Sequence, residues 1–298
     1  MVRRDAFSTY HPLVGFLYFA LVLVCAMVLM HPLCLCVSLL SALWYDVQLH
    51  GGKAVRFGLR WLLPMMVLAA VLNPAFSHEG ATILTYLPSG NPLTRESILY
   101  GFAAAAMLAA VVEWFRCYTA VMTSDKFVYL FGRIIPSLSL VLSMALRFVP
   151  KCKAQLQTIR AAQRCVGQDV SRGGVIVRMR GGIRILSILI TWSLENAIET
   201  ADSMKSRGYG LPGRTAFSIY RFDRRDRLAL LWLALCCAVI FSGALCGAFG
   251  WRYFPTLRGA ELTPVSIACQ LCLSALYLTP VYLNGKEGRK WKHLQSVT

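Results

Sequence analysis

Two arginines stand beside glycines at the ends of runs with helical periodicity. They are Arg164 in Arg164-Cys165-Val166-Gly167 and Arg207 in Ser206-Arg207-Gly208. A guanidinium in a last helical turn complements the helix dipole, and its planar fork pairs bidentately with carboxylates. The chemistry offered there is recognition of a partner. Glu195, Glu199 and Asp202 recur on one helix face, the only grouping that suggests acid–base work, but no nucleophile–base set on a recognisable elbow accompanies them. Cys269-x-x-Cys272 has metal-ligand spacing and lacks a second pair or a nearby histidine to complete four ligands. His11 and His31 each precede Pro-Leu at a helix entry, where a structural role outweighs metal binding. No Gly-x-x-x-x-Gly-Lys-Ser/Thr phosphate loop occurs. An integral membrane enzyme working through the three carboxylates stands as an alternative, and so does a membrane anchor for a cytoplasmic partner.

The elements that must position these residues are apolar helices. The chain has 298 residues, 57% of them hydrophobic, and a mean hydropathy of +0.55, which excludes an ordinary soluble domain. Six runs approach the roughly 20 apolar residues of a membrane span: Leu13–Met30, Pro32–Tyr45, Phe57–Leu72, Ser97–Tyr118, Leu228–Gly250 and Pro264–Leu283. The first is expected to be a retained span rather than a cleaved leader. The fold class expected is therefore an all-α integral membrane protein of about six spans with long cytoplasmic amphipathic helices. Its parts are residues 1–122 (about four spans), 123–227 (a cytoplasmic helical region) and 228–298 (a helix pair and basic tail).

The net charge of +17 points to nucleic acid only if its distribution is ignored. With the N-terminus inside, six spans put every Lys and Arg except Arg95, Arg252 and Arg258 on the cytoplasmic side. Both termini and the central segment are thus expected in the cytoplasm, and the membrane explains the charge. Most of the 11 cysteines lie in expected spans and read as small buried apolar residues.

Ala103–Ala106, Ala109-Ala110 and Gly243-x-x-x-Gly247 are small residues of the kind that let helices approach closely in lipid. Glu113 shares a helix face with Arg116 and reads as a paired, snorkelling carboxylate near the cytoplasmic interface, with a proton relay as the alternative. Asp46–Arg60 reads as a basic loop. In the central segment, Ile134–Pro150 is too apolar for a free surface helix. Lys151–Gly167 and Ile185–Gly208 carry helical stripes that end on glycine.

At these residues the chain resembles the transmembrane T component of energy-coupling factor (ECF) transporters, the EcfT/CbiQ family. The likeness runs through His11-Pro12-Leu13-Val14, Asn91-Pro92-Leu93-Thr94 with Tyr100-Gly101, Ile135-Pro136, Leu146–Pro150, Ala161–Arg164 and Asn196–Tyr209. The family's two Ala-Arg-Gly motifs correspond here to Cys165-Val166-Gly167 and Ser206-Arg207-Gly208. Valine thus replaces the first arginine, and Arg164 lies about 200° away around the helix. The resemblance implies a non-catalytic subunit between two ATPase subunits and a small substrate-binding (S) membrane subunit. It implies uptake of a vitamin or a transition-metal ion such as cobalt, no cofactor on this chain, and ATP-Mg used by the partner ATPases. A bacterial or archaeal cell membrane is the implied location. Residues 164–167 and 206–208 are the implied ATPase-coupling sites.

Overall fold

In a computed structural model of the chain, the residues described are 5–76, 79–86, 92–132, 135–168, 174–209, 211, 220–259 and 263–297, without the side chains of 136–138 and 290–297. Asn91 and Ile134, named above, lie outside them. The helices, in order, are α1 (Pro12–Val28), α2 (Pro32–His50), α3 (Gly52–Phe57), α4 (Leu63–Phe76), α5 (Arg95–Val121), α6 (Ser124–Gly132), α7 (Pro136–Cys165), α8 (Val175–Ser206), α9 (Arg224–Leu245) and α10 (Pro264–Val297). A π-helical turn, Gly58–Leu62, joins α3 to α4. Two short hairpins, Ile83–Tyr86 with Pro92–Thr94 and Trp251–Arg252 with Arg258–Gly259, are the strands among the described residues. The protein is an all-α integral membrane protein.

The chain forms two compact units, Met1–Thr123 with Tyr220–Thr298, and Ser124–Ile219. In the first, α2, the continuous stretch Gly52–Phe76, α5, α9 and Pro264–Arg289 are long and apolar enough to cross a membrane. The sixth expected span, α1, has 17 residues, or about 25 Å at 1.5 Å per residue, against roughly 30 Å of hydrocarbon. The expected loop Asp46–Arg60 is helical nearly throughout, because α2 runs on to His50 and α3 follows Gly51 directly.

The repeated His-Pro-Leu pattern starts α1 and α2 in the same way. His11 Nδ1 accepts the N–H of Leu13 at 3.2 Å, and His31 Nδ1 accepts that of Leu33 at 3.3 Å. Proline occupies the first turn, where its missing N–H costs nothing. Accepting through Nδ1 requires that this nitrogen be unprotonated. Burial lowers the pKa of both rings below the usual histidine value, and Asp226 opposes this at His11.

The core of this unit centres on Trp114 of α5, which is fully buried. Its Nε1 donates to Ser38 Oγ of α2 at 3.0 Å. Ring centroids of Tyr18, Tyr45 and Tyr277 lie 6.2, 6.5 and 5.9 Å from its own, so α1, α2, α5 and α10 meet there. Small residues set the approach distances. Ala103, Ala105, Ala109 and Ala110 are buried on α5, and a Cβ on Gly101 would stand 2.8 Å from the Ala70 carbonyl oxygen. In Gly243-x-x-x-Gly247 the two glycines part company. A Cβ on Gly243 would meet Cys269 Sγ at 2.5 Å, whereas Gly247, at φ +74°, ends α9 and has open space around it.

Asp226 binds the start of α9 to the start of α1. Its Oδ1 accepts the His11 backbone N–H at 3.0 Å, and its Oδ2 accepts that of Asp223 at 3.0 Å, closing a capping box. Glu113 differs from its sequence reading. It is fully buried rather than snorkelling, and the main partner of Arg116 is Asp46 of α2, at 2.9 Å. The periodicity of α5 put Glu113 beside Arg116 but could not show that α2 covers both.

In the second unit, the two expected runs are the ends of longer helices. Ile134–Pro150 and Lys151–Gly167 merge into α7, a 30-residue helix that continues through Pro150. That proline offers no N–H to the Leu146 carbonyl. The Ile185–Gly208 run is the C-terminal part of α8, 32 residues long. The helices meet where Phe148 stacks on Trp192, with centroids 6.1 Å apart. Lys151 Nζ donates to Asn196 Oδ1 there at 3.0 Å and lies 5.7 Å from the Trp192 ring.

Candidate functional site at two helix ends

Beyond that meeting point α7 continues roughly 22 Å from Lys151, and α8 roughly 16 Å from Asn196, at about 1.5 Å per residue. Both end in the same way. Gly167 and Gly208 adopt φ of +78° and +74°, the left-handed conformation that glycine takes without a Cβ penalty. The Gly167 N–H donates to the Arg164 carbonyl at 3.0 Å, and the Gln168 N–H to the Gln163 carbonyl at 2.9 Å. At the other end Gly208 donates to Lys205 at 3.0 Å, and Tyr209 to Met204 at 3.1 Å. Each is a complete Schellman cap, which satisfies carbonyls a helix end otherwise leaves orphaned.

These bonds align the two ends without reference to sequence. Val166 (φ −85°, ψ 7°) and Arg207 (φ −85°, ψ 6°) occupy the same position. Cys165 matches Ser206, and Gly167 matches Gly208. Arg164 falls where α8 has Lys205, so it is the counterpart of that lysine and not of Arg207. Val166, 72% exposed, presents an isopropyl group where α8 presents a guanidinium. Arg164, Cys165, Ser206 and Arg207 are exposed as well.

The cap alone is generic, since α9 ends identically: Gly247 donates to Ala244 at 3.1 Å, and Ala248 to Gly243 at 2.9 Å. What singles out the end of α8 is an exposed arginine at the capping position. Glu195, Glu199 and Asp202, the carboxylates of the enzyme alternative, are all exposed on α8. In the membrane unit, sequence reasoning missed Asp46 and His50 as partners of the Glu113–Arg116 pair. Their spacing of four residues in a helical run was the available signal.

The arrangement defines a class: an all-helical membrane unit whose chain also builds a second unit carrying two long helices with matched, exposed ends. Comparison with known proteins makes this particular. The sequence profile of the CbiQ family, described as cobalt transport protein, matches residues 8–217 and spans both helix ends. The chain belongs to that family. It is 29% identical over 201 residues to the energy-coupling factor transporter transmembrane protein EcfT of Bacillus selenitireducens, covering 64% of this chain and 74% of that one. Against EcfT of Lactobacillus helveticus the identity is 38% over 102 residues, with 34% of this chain and 37% of the relative covered. EcfT 1 of Listeria monocytogenes is 26% identical over 196 residues, 61% and 73% of the two chains.

Proposed function

We propose that this chain is the transmembrane coupling subunit, the T component, of an ECF-type ABC importer. It transmits ATP-driven motion of two cytoplasmic ATPase subunits to a small membrane subunit that binds the substrate, a vitamin or a transition-metal ion such as cobalt. The chain itself is non-catalytic and binds no cofactor; the ATPases use ATP-Mg. The observation that carries this reading is the pair of superimposable helix ends, one of them presenting Arg207. An arginine so placed suits a carboxylate-bearing groove on a partner.

Two further features support it. The relatives named above are energy-coupling factor transporter proteins. On α8 an exposed apolar row, Ile176, Met179, Ile183, Leu186, Ile190 and Leu194, recurs every three or four residues, the pattern that receives an apolar partner. The basic residues set the orientation, with both termini and the second unit in the cytoplasm of a bacterial or archaeal cell.

The test is an affinity pull-down from the native membrane, followed by uptake assays on Arg207→Ala. Two ATPase chains and a small hydrophobic protein should accompany the parent chain, and the small protein would identify the substrate. Recovery of this chain alone with intrinsic activity would overturn the reading in favour of an enzyme. An Arg207→Ala chain that leaves the complex and uptake intact would remove Arg207 from the site.

A further inference from the structure

The membrane unit contains a cluster of ionisable side chains that coupling through α7 and α8 does not use. Asp46 and His50 stand one turn apart on α2, and Glu113 and Arg116 one turn apart on α5. Arg116 Nη1 lies 2.9 Å from Asp46 Oδ2 and 3.9 Å from Glu113 Oε2. His50 Nδ1 lies 2.7 Å from Asp46 Oδ1. The Arg116 guanidinium also sits 4.1 Å from the centre of the Phe57 ring of α3. Asp46 and Glu113 have no side-chain exposure.

The two carboxylates are served very differently. Asp46 Oδ1 bonds His50, and its Oδ2 lies at ion-pair distance from Arg116, although neither Oδ2 nor Arg116 Nη1 completes a hydrogen bond there. Among the described residues Glu113 has no hydrogen-bond partner on either oxygen, and both are sealed from solvent. Its nearest cationic nitrogen, at 3.9 Å, is beyond hydrogen-bond reach. The other described groups facing the cluster do not supply a partner. Cys117 of α5 directs its Sγ toward the Ala42 carbonyl at 3.9 Å. Asp5, ahead of α1, accepts at Oδ2 from the Tyr45 hydroxyl at 2.8 Å and the Ser8 N–H at 3.1 Å, and its own Oδ1 is buried without a partner among the described residues. Lys53, Arg56 and Arg60, on α3 and the turn after it, are exposed.

Two buried carboxylates thus share one guanidinium. With both ionised and His50 neutral, the cluster would hold a net negative charge, and it would fall on buried Glu113, which no donor among the described residues reaches. A proton on His50 would sit against Asp46 Oδ1, 2.7 Å away, and would bring no hydrogen-bond donor to Glu113. We propose that the Asp46–His50–Glu113–Arg116 cluster is a one-proton site, with Glu113 carrying the proton as a neutral carboxylic acid at neutral pH. The proton lets α2 and α5 close around Asp46–Arg116. Its loss would set a second anion beside Asp46 and make Arg116 a contested partner.

The proposal does not depend on the transport reading, and its test reads the proton directly. Infrared spectra of the purified full chain in lipid nanodiscs at neutral pH should contain the carbonyl stretch of a protonated carboxylic acid. The band should shift in deuterium oxide and vanish in Glu113→Gln. Absence of the band from the parent chain, or its survival in Glu113→Gln, would overturn the proposal. If Glu113→Gln does not fold, isotopically labelled glutamate in the parent chain and the variant Glu96→Gln decide instead. A band that moves with the label and persists in Glu96→Gln supports Glu113. A band indifferent to the label, or lost in Glu96→Gln, refutes it.

Discussion

Val166 and Arg207 share a backbone conformation to within a degree, so the two helix ends differ in recognition through side chains on a common scaffold. Truncating a central interface arginine typically costs about 2 kcal/mol or more, roughly thirtyfold in affinity. Under the proposed function, Arg207→Ala should therefore weaken binding of the ATPase pair about thirtyfold in a titration of the reconstituted complex. Arg164→Ala should be milder, because Arg164 occupies the Lys205 position, around the helix from the cap. Val166→Arg offers the converse test: it places a guanidinium at the capping position of α7 and should tighten binding. Unchanged affinity in that variant would mean that the α7 end engages its partner by apolar packing.

At the scale of elements, caps and close approaches carry the testable consequences. The neutral rings of His11 and His31 cap α1 and α2, and burial depresses their pKa values. A depressed pKa means that the unfolded chain takes up protons first as pH falls. The stabilisation is complete above the ordinary histidine value, about 6.5, and is lost as pH drops through the lower folded-state value. Melting curves in detergent should fall in that direction, and the paired change His11→Asn and His31→Asn, which keeps a capping acceptor, should flatten the dependence. Asp226→Ala strands the half-buried N–H of His11 and opens the α9 capping box, a loss of about 1–3 kcal/mol that should lower the melting temperature. Asp226→Asn retains one acceptor oxygen and should lose about half as much. Gly208→Ala forces a Cβ into the left-handed region at a cost of about 1–2 kcal/mol, and faster amide exchange over the last turn of α8 would report it.

For the whole molecule, the proposed orientation makes one prediction that involves every span. Cys165 is exposed at the end of α7. In a variant retaining that cysteine alone, a membrane-impermeant maleimide should label inverted vesicles and spare right-side-out ones. Labelling from the outside would reverse the assignment of both termini.

Much of this molecule was legible from residue types in order. Apolar runs of span length need no partner to be recognised, because the bilayer acts as solvent on each helix separately. His-Pro entries and glycine exits are likewise local signals, and both sit at helix boundaries here. The continuity of α7 was not legible, since Pro150 looks like a terminus until the whole helix is seen to accommodate it. Nor was the state of Glu113. The spacing of α5 supplied Arg116 as a neighbour, but Asp46 comes from α2, nearly seventy residues earlier in the chain. Local physics along the chain therefore determined the helices, their ends and the basic bias. Only tertiary packing decided which carboxylate received the arginine, because burial and charge pairing depend on what a second helix brings to the same place.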